Sequence, residues 1–158
     1  MLDAVPLLPP YAHLDEEAVH CVAQASSRYD VPELLLHSIL LKENGRTGQC
    51  SRANSNGTRD CGLAQINTTW VPHFQKQGIP ASVLYGNACT NIQAAAYILR
   101  SNYLRKGDWF EATVAYNIGP NNWTPVRKAI GWEYATDVTQ RWWSLHAWVT
   151  AQPAAPTK

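Results

Sequence analysis

Apolar residues recur at helical spacing along most of this chain, and glycine and proline cut that pattern into short segments. Residues 15–29 carry Ala18, Val19, Val22, Ala23 and Ser26 on one face. Asp15, Glu16 and Glu17 lead them, and their negative charge suits a helix start. Pro32 opens a second helix, Pro32–Asn44, and Gly45 is expected to stop it. Residues 50–63 are rich in Ser, Asn and Gly, and Asn56-Gly57 favours a tight turn, so a small β-hairpin is expected near residues 51–63. Residues 90–105 read as a helix capped by Thr90 or Asn91 and stopped by Gly107. Asp108 and Glu111 have the spacing of a capping box, which starts a helix near Trp109 and lets it run to Gly119-Pro120. A last helix is expected from about Glu133 to Thr150, with Tyr134, Val138, Trp142, Leu145 and Val149 on one stripe. The expected fold class is predominantly α (α+β).

A length of 158 residues suits one domain with a real core. That domain is expected over residues 15–150. Residues 1–14 read as an extended arm, because the prolines of Val5-Pro6-Leu7-Leu8-Pro9-Pro10 forbid a continuous helix. The arm lacks the basic start of a signal peptide and reads as a mature N-terminus behind an added Met. Residues 151–158 read as a flexible tail. With 46% apolar and 16% charged residues the chain is not disordered, and no apolar run reaches the length of a membrane span. A formal charge of +1 gives no electrostatic case for nucleic acid or a polybasic membrane contact. Cys21, Cys50, Cys61 and Cys89 contain no C-x-x-C pair, and His13, His20, His37, His73 and His146 are scattered, which argues against a metal site. An even cysteine count in a small chain suits two disulfides and an oxidising compartment. The alternative is four buried, reduced thiols in a cytosolic protein.

One side chain breaks the helical pattern. Leu36, Ile39 and Leu40 form an apolar stripe, and Glu43 falls on the same face, at i+3 from Leu40 and i+4 from Ile39. It also sits in the last helical turn, where the helix dipole disfavours negative charge. Burial and dipole together should raise its pKa, which is what a general acid at neutral pH needs. The plainer alternative is a Glu that reaches solvent or pairs with Lys42 or Arg46.

The segments downstream bear on that choice. Glu43 precedes the polar stretch Asn54–Asp60 and then Gly62-Leu63-Ala64-Gln65-Ile66-Asn67. Later come Ala115-Tyr116-Asn117-Ile118-Gly119-Pro120 and Tyr134-Ala135-x-x-Val138. A helix-end Glu, a polar hairpin and Gly-Leu-x-Gln-Ile-Asn resemble the lysozyme superfamily. The two later motifs resemble the soluble lytic transglycosylases (SLT type), most of all the small specialised enzymes of conjugation, secretion and pilus systems. Cys21 and the Cys89-Thr90-Asn91-Ile92 run resemble the same subgroup. The likeness covers roughly residues 20–140, and its strength lies in four motifs in order. Two positions depart from the pattern: Asn44 stands where the family usually has Ser, and Ala64 where it often has Met, which implies a smaller cleft wall.

The resemblance implies a lysozyme-like domain that cuts peptidoglycan glycan strands. Glu43 would protonate the oxygen between N-acetylmuramic acid and N-acetylglucosamine, then act as base on the muramoyl C6 hydroxyl to form a 1,6-anhydro end. Gln65 and Asn67 would shape the cleft floor, with backbone capping as the alternative for Asn67. Tyr116 and Asn117 would line the site, and Tyr134 would place its hydroxyl near Glu43. Core packing with a wet tip is the alternative for both tyrosines. Asp60, 17 residues after Glu43, stands where animal-type lysozymes place a second carboxylate. It would make a two-carboxylate hydrolysis possible, unless it only bonds hairpin amides. Trp70 and Trp123 are candidates for the groove, without an assigned subsite.

Three cysteine pairings are open. The expected one is Cys21–Cys89 with Cys50–Cys61, the second closing the loop between the Glu43 helix and the hairpin. No cofactor is implied. The implied partners are peptidoglycan strands and components of a secretion, conjugation or pilus apparatus, and the implied setting is the periplasm or outside the cell, as a monomer. A lysozyme-type hydrolase and a catalytically silent glycan-binding scaffold are the competing readings.

Overall fold

The computed structural model describes residues 14–153. Most of the expected arm and tail lies outside the described residues, although Leu14, placed in the arm by the sequence, is buried in the core. Among the described residues the fold is predominantly α and lysozyme-like, as expected, with a small antiparallel sheet. The helices are α1 (Glu16–Tyr29), α2 (Glu33–Glu43), α3 (Val71–Gln75), α4 (Ala81–Gly86), α5 (Ala88–Lys106), α6 (Trp109–Ile118) and α7 (Pro125–Ala151). The strands are β1 (Asp60–Cys61) and β2 (Ile66–Asn67), and a 3-10 turn over Thr68–Trp70 follows them.

The helix starts show side-chain caps doing their usual work. Asp15 accepts from the Ala18 amide at 2.8 Å, and Asp108 accepts from the Glu111 amide at 2.7 Å, so orphan N–H groups of the first turns are satisfied. The cap of α5 is Asn87 rather than Thr90 or Asn91: its Oδ1 accepts from the Thr90 amide at 2.9 Å. The residue that closes α2 is Asn44, in the left-handed region with φ 49°, and not Gly45. Helix α7 begins at Pro125, eight residues before the expected Glu133, with Thr124 as its cap. Proline suits that first position, since its missing N–H has no helical partner there.

Helix α2 is enclosed, which the expectation of a single apolar stripe understated. Leu35, Leu36, His37, Ser38, Ile39 and Leu40 are all buried. α7 packs along α2, α6 packs on α7, and α5 bridges α1 and α6. Gly131 makes the α6–α7 approach possible, because a Cβ there would lie 2.7 Å from Val114 Cγ1. The main core is built from α1, α2 and α5, with Ile66, Phe74, Leu84, Tyr134 and Val138 joining it.

The sheet differs from the expected hairpin. β1 pairs with β2, Asp60 opposite Asn67 and Cys61 opposite Ile66, so the connecting turn is 62–65 and not Asn56-Gly57. The Asn56-Gly57 turn exists, but it closes only a loose return in which Cys50 bridges Cys61. Both Cys21–Cys89 and Cys50–Cys61 are disulfides. The first ties α1 to the start of α5, and the second ties residue 50 to β1.

Candidate active site

Glu43 is the last residue of α2, and the rigid burial of that helix fixes where its carboxyl emerges. It reaches a cleft of about 960 Å³. One wall comes from the 54–60 segment and the β1–β2 unit, with Asn54, Asp60, Gln65 and Asn67. The other comes from the end of α6, with Tyr116, Asn117 and Gly119-Pro120, and from Arg127 and Ile130 on α7. Trp70, His73, Ile98 and Asn102 also line it.

The turn that carries Gln65 is held in place from below. Asn91 is fully buried, accepts from the Ala64 amide at 2.8 Å, and donates to the carbonyls of Leu84 at 3.0 Å and Cys61 at 3.2 Å. Gly62 lies against that amide with φ 80°, a conformation and a closeness that a side chain would not allow. Gly45 is needed for space as well: a Cβ there would meet the Gly62 carbonyl oxygen and sit 2.8 Å from Gln65 Nε2. So the glycine read as a helix stop is instead the contact point between the Glu43 helix end and the sheet.

The Tyr134 hydroxyl donates to Glu43 Oε1 at 2.5 Å. Burial is the largest influence on the Glu43 carboxyl and pushes its pKa from 4.5 up to about 7. The Tyr134 hydrogen bond opposes the rise, the Asp60 carboxylate adds to it, and the Lys42 ammonium opposes it. Burial also pushes the phenols of Tyr116 and Tyr134 well above their ordinary value, with the Glu43 charge adding to both. Both are therefore neutral hydrogen-bond donors at physiological pH.

The remaining expected site residues divide into those that face the cleft and those that hold its walls. Gln65 lines the cleft, but its Nε2 donates to the Gly62 carbonyl at 3.0 Å. Asn67 lines it too, with its amide committed: Nδ2 donates to Asp60 Oδ1 at 2.9 Å and Thr58 Oγ1 at 3.0 Å, while Oδ1 accepts from the Thr69 amide at 3.0 Å. Asp60 also lines the cleft, and Asn54 Nδ2 donates to its second oxygen at 3.1 Å. Its carboxylate is thus held by side-chain amides, not by the hairpin backbone amides weighed above. Tyr116 donates to the Ala64 carbonyl at 2.7 Å, spanning from α6 to the β1–β2 turn. Tyr134 is buried and meets Glu43 without lining the cleft. Ala64 is fully enclosed and forms no part of the cleft wall, contrary to expectation. Of the two groove tryptophans considered, Trp70 lines the cleft, whereas Trp123 donates to the Gly119 carbonyl at 2.6 Å and lies under Lys106.

Asn54, Asn102, His73, Arg127 and Ile130 line the cleft without having been singled out. They belong to four separate segments, and no local pattern marks them; only packing brings them together. Among the described residues no group of His, Cys, Asp and Glu could hold a metal ion, and no helix is long and apolar enough to cross a membrane.

The Transglycosylase SLT domain family matches residues 20–138, which run from within α1 into α7, past its cleft-lining residues Arg127 and Ile130. The chain belongs to the transglycosylase SLT domain family. A function of the lytic transglycosylase type, on peptidoglycan, follows from that membership. Among curated relatives, this family member is 31% identical to Protein IpgF of Shigella flexneri over 127 residues, covering 80% of this chain and 82% of that one. It is 29% identical to Invasion protein IagB of Salmonella typhimurium (strain SL1344) over 125 residues, covering 79% and 76%.

Proposed function

We propose that this SLT-family chain cleaves the β-1,4 bond between N-acetylmuramic acid and N-acetylglucosamine, leaves 1,6-anhydromuramoyl ends, and uses Glu43 as acid and then base. One observation carries the reading: a carboxyl on the cleft wall, under a tyrosine hydroxyl, with a pKa of about 7. Such a group is protonated often enough to give a proton and ionised often enough to take one. In the first step Glu43 protonates the glycosidic oxygen while the bond to the muramoyl anomeric carbon breaks. In the second, the muramoyl C6 hydroxyl bonds to that carbon and its proton returns to Glu43. No water is consumed, and the enzyme ends as it began.

Tyr134 positions the Glu43 carboxyl, while Gln65 and Asn117 contact the sugars. Asn67 acts by holding Asp60, and Tyr116 fixes the width between α6 and the sheet. The two disulfides support a periplasmic or secreted setting. The catalytic domain takes in Leu14 with residues 15–150 and acts as a monomer. The likeness to IagB, an invasion protein, supports service to an envelope-spanning apparatus such as a secretion, conjugation or pilus system.

Hydrolysis of the same bond is the second reading. It is favoured by the Asp60 carboxylate, which shares the cleft with Glu43 and is held by Asn54 and Asn67. Mass spectrometry of purified peptidoglycan digested by wild type and by Glu43→Gln separates the readings. Anhydro ends, lighter by one water than reducing ends and absent with the variant, are expected. Reducing ends lost in Asp60→Asn would replace transglycosylation with hydrolysis. Wall binding without cleavage by either protein would leave a glycan-binding scaffold.

A further inference from the structure

Glu43 shares the end of α2 with a cation. Lys42 precedes it, and an ammonium beside a carboxyl favours the ionised form, which lowers the protonated fraction that the first, acid step needs. The structure disposes of that charge. Lys42 Nζ lies 2.5 Å from Asp137 Oδ2, and the other Asp137 oxygen accepts from Arg141 Nε at 3.1 Å. Asp137 stands on α7 three residues past Tyr134, whose hydroxyl meets Glu43, so both contacts between α2 and α7 fall on adjacent turns. The Lys42 ammonium is also 5.9 Å from the centre of the Tyr134 ring.

We propose that Asp137 is a positioning residue: it pairs with Lys42, draws that cation toward α7 and locks the last turn of α2 there, with Glu43 held beneath Tyr134. This role rests on the reading of Glu43 as the acid. The charged and titratable groups around that carboxyl come from every side. Lys42 shares its helix, Tyr134 comes from α7, Tyr116 from α6 and Asp60 from β1, while Asp137 and Arg141 of α7 join the cluster through Lys42. Asp137 is the carboxylate that pairs with the neighbouring cation.

Charge fixes the signs. Asp137→Asn keeps the side-chain shape, removes a negative charge and frees Lys42 and Arg141; every one of these changes favours the Glu43 carboxylate, so its titration midpoint falls. Lys42→Met removes the cation and leaves Asp137, so the midpoint rises. The double variant returns close to wild type. A clamp that worked by packing alone would move both single variants the same way, or neither. The two side chains are 32% and 33% exposed, and solvent screening at that exposure limits each displacement to about half a pH unit.

The test is a titration of carboxyl-labelled glutamate by carbon-13 NMR, with the Glu43 signal identified by its loss in Glu43→Gln. It needs no substrate, so its outcome is separate from that of the lytic reading. Opposite displacements in the two single variants, cancelling in the double variant, are expected. The alkaline limb of the wall-lysis pH profile should follow the same order. Displacements of equal sign, or none in either variant, overturn the proposal. Lys42→Gln replaces the methionine variant if that one does not fold. Opposite displacements in a protein that never cleaves wall would support the charge pairing while sinking the catalytic reading.

Discussion

Replacing Glu43 by Gln should stabilise the protein while abolishing its activity, and the gain should depend on pH. In the open chain this carboxyl has its ordinary pKa of 4.5, and in the fold about 7. Between those values the folded state binds more protons than the unfolded state, so unfolding free energy falls as pH rises. The loss is absent below about pH 4.5 and complete above about pH 7. At about 1.4 kcal/mol per pH unit, the difference amounts to about 3 kcal/mol at pH 8, an upper value. The substituted amide has no proton to lose and keeps an oxygen to accept from Tyr134. Thermal unfolding of both proteins from pH 4 to pH 9, with disulfides intact, reads this directly. For a chain of this size the gap in Tm should open from near zero at pH 4 to roughly 6–12 °C at pH 8. A gap that does not change with pH would refute the reasoning, as would a variant less stable than wild type at pH 8. Either result would mean that the carboxyl is not desolvated in the native state.

Tyr134→Phe deletes a donor to the ionised carboxyl, so the Glu43 midpoint and the alkaline limb of the lysis profile should move to higher pH, with kcat reduced; a limb moving down would contradict the hydrogen-bond geometry. Gly131→Ala adds a Cβ 2.7 Å from Val114 Cγ1 and 3.1 Å from Ile118 Cδ1. Overpacking should outweigh the better helix propensity of alanine and lower stability by about 1–3 kcal/mol, measured by denaturant unfolding; a higher midpoint would show that α6 and α7 separate freely. Cys50→Ser with Cys61→Ser opens a short loop and should destabilise by up to about 3 kcal/mol on the chain-entropy account. Because Asp60 adjoins Cys61, the same pair should lower kcat/KM in wall-lysis assays run well below Tm, and unchanged kinetics there would show that Asp60 is held without the disulfide.

The helix pattern is legible because it is local. Asp15, Asp108 and Pro32 act on residues within one turn, and each stands at or beside the start of its helix in the structure. Glu43 on an apolar face is legible for the same reason, since periodicity alone brings it beside Ile39 and Leu40. The expected hairpin is misplaced because Asn56-Gly57 makes a turn wherever it stands, while pairing depends on which strand finds a partner. The sequence pattern shortens helix α7 because Gly131 has poor helix propensity, and only the crowding at Val114 explains its presence. The short helices α3 and α4 carry too few residues for a period to register.

Sequence by itself therefore determined the class of fold, the order of its main helices and the carboxyl that breaks the apolar stripe. These depend on spacings of three or four residues, which a chain cannot hide. The tertiary structure alone decided the environment of that carboxyl. Tyr134 and Asp60 lie 91 and 17 residues away from Glu43 along the chain, and burial between them raises its pKa. Desolvation and Coulomb interactions act through space, so they exist only after α2, α7 and the sheet have closed around one cleft.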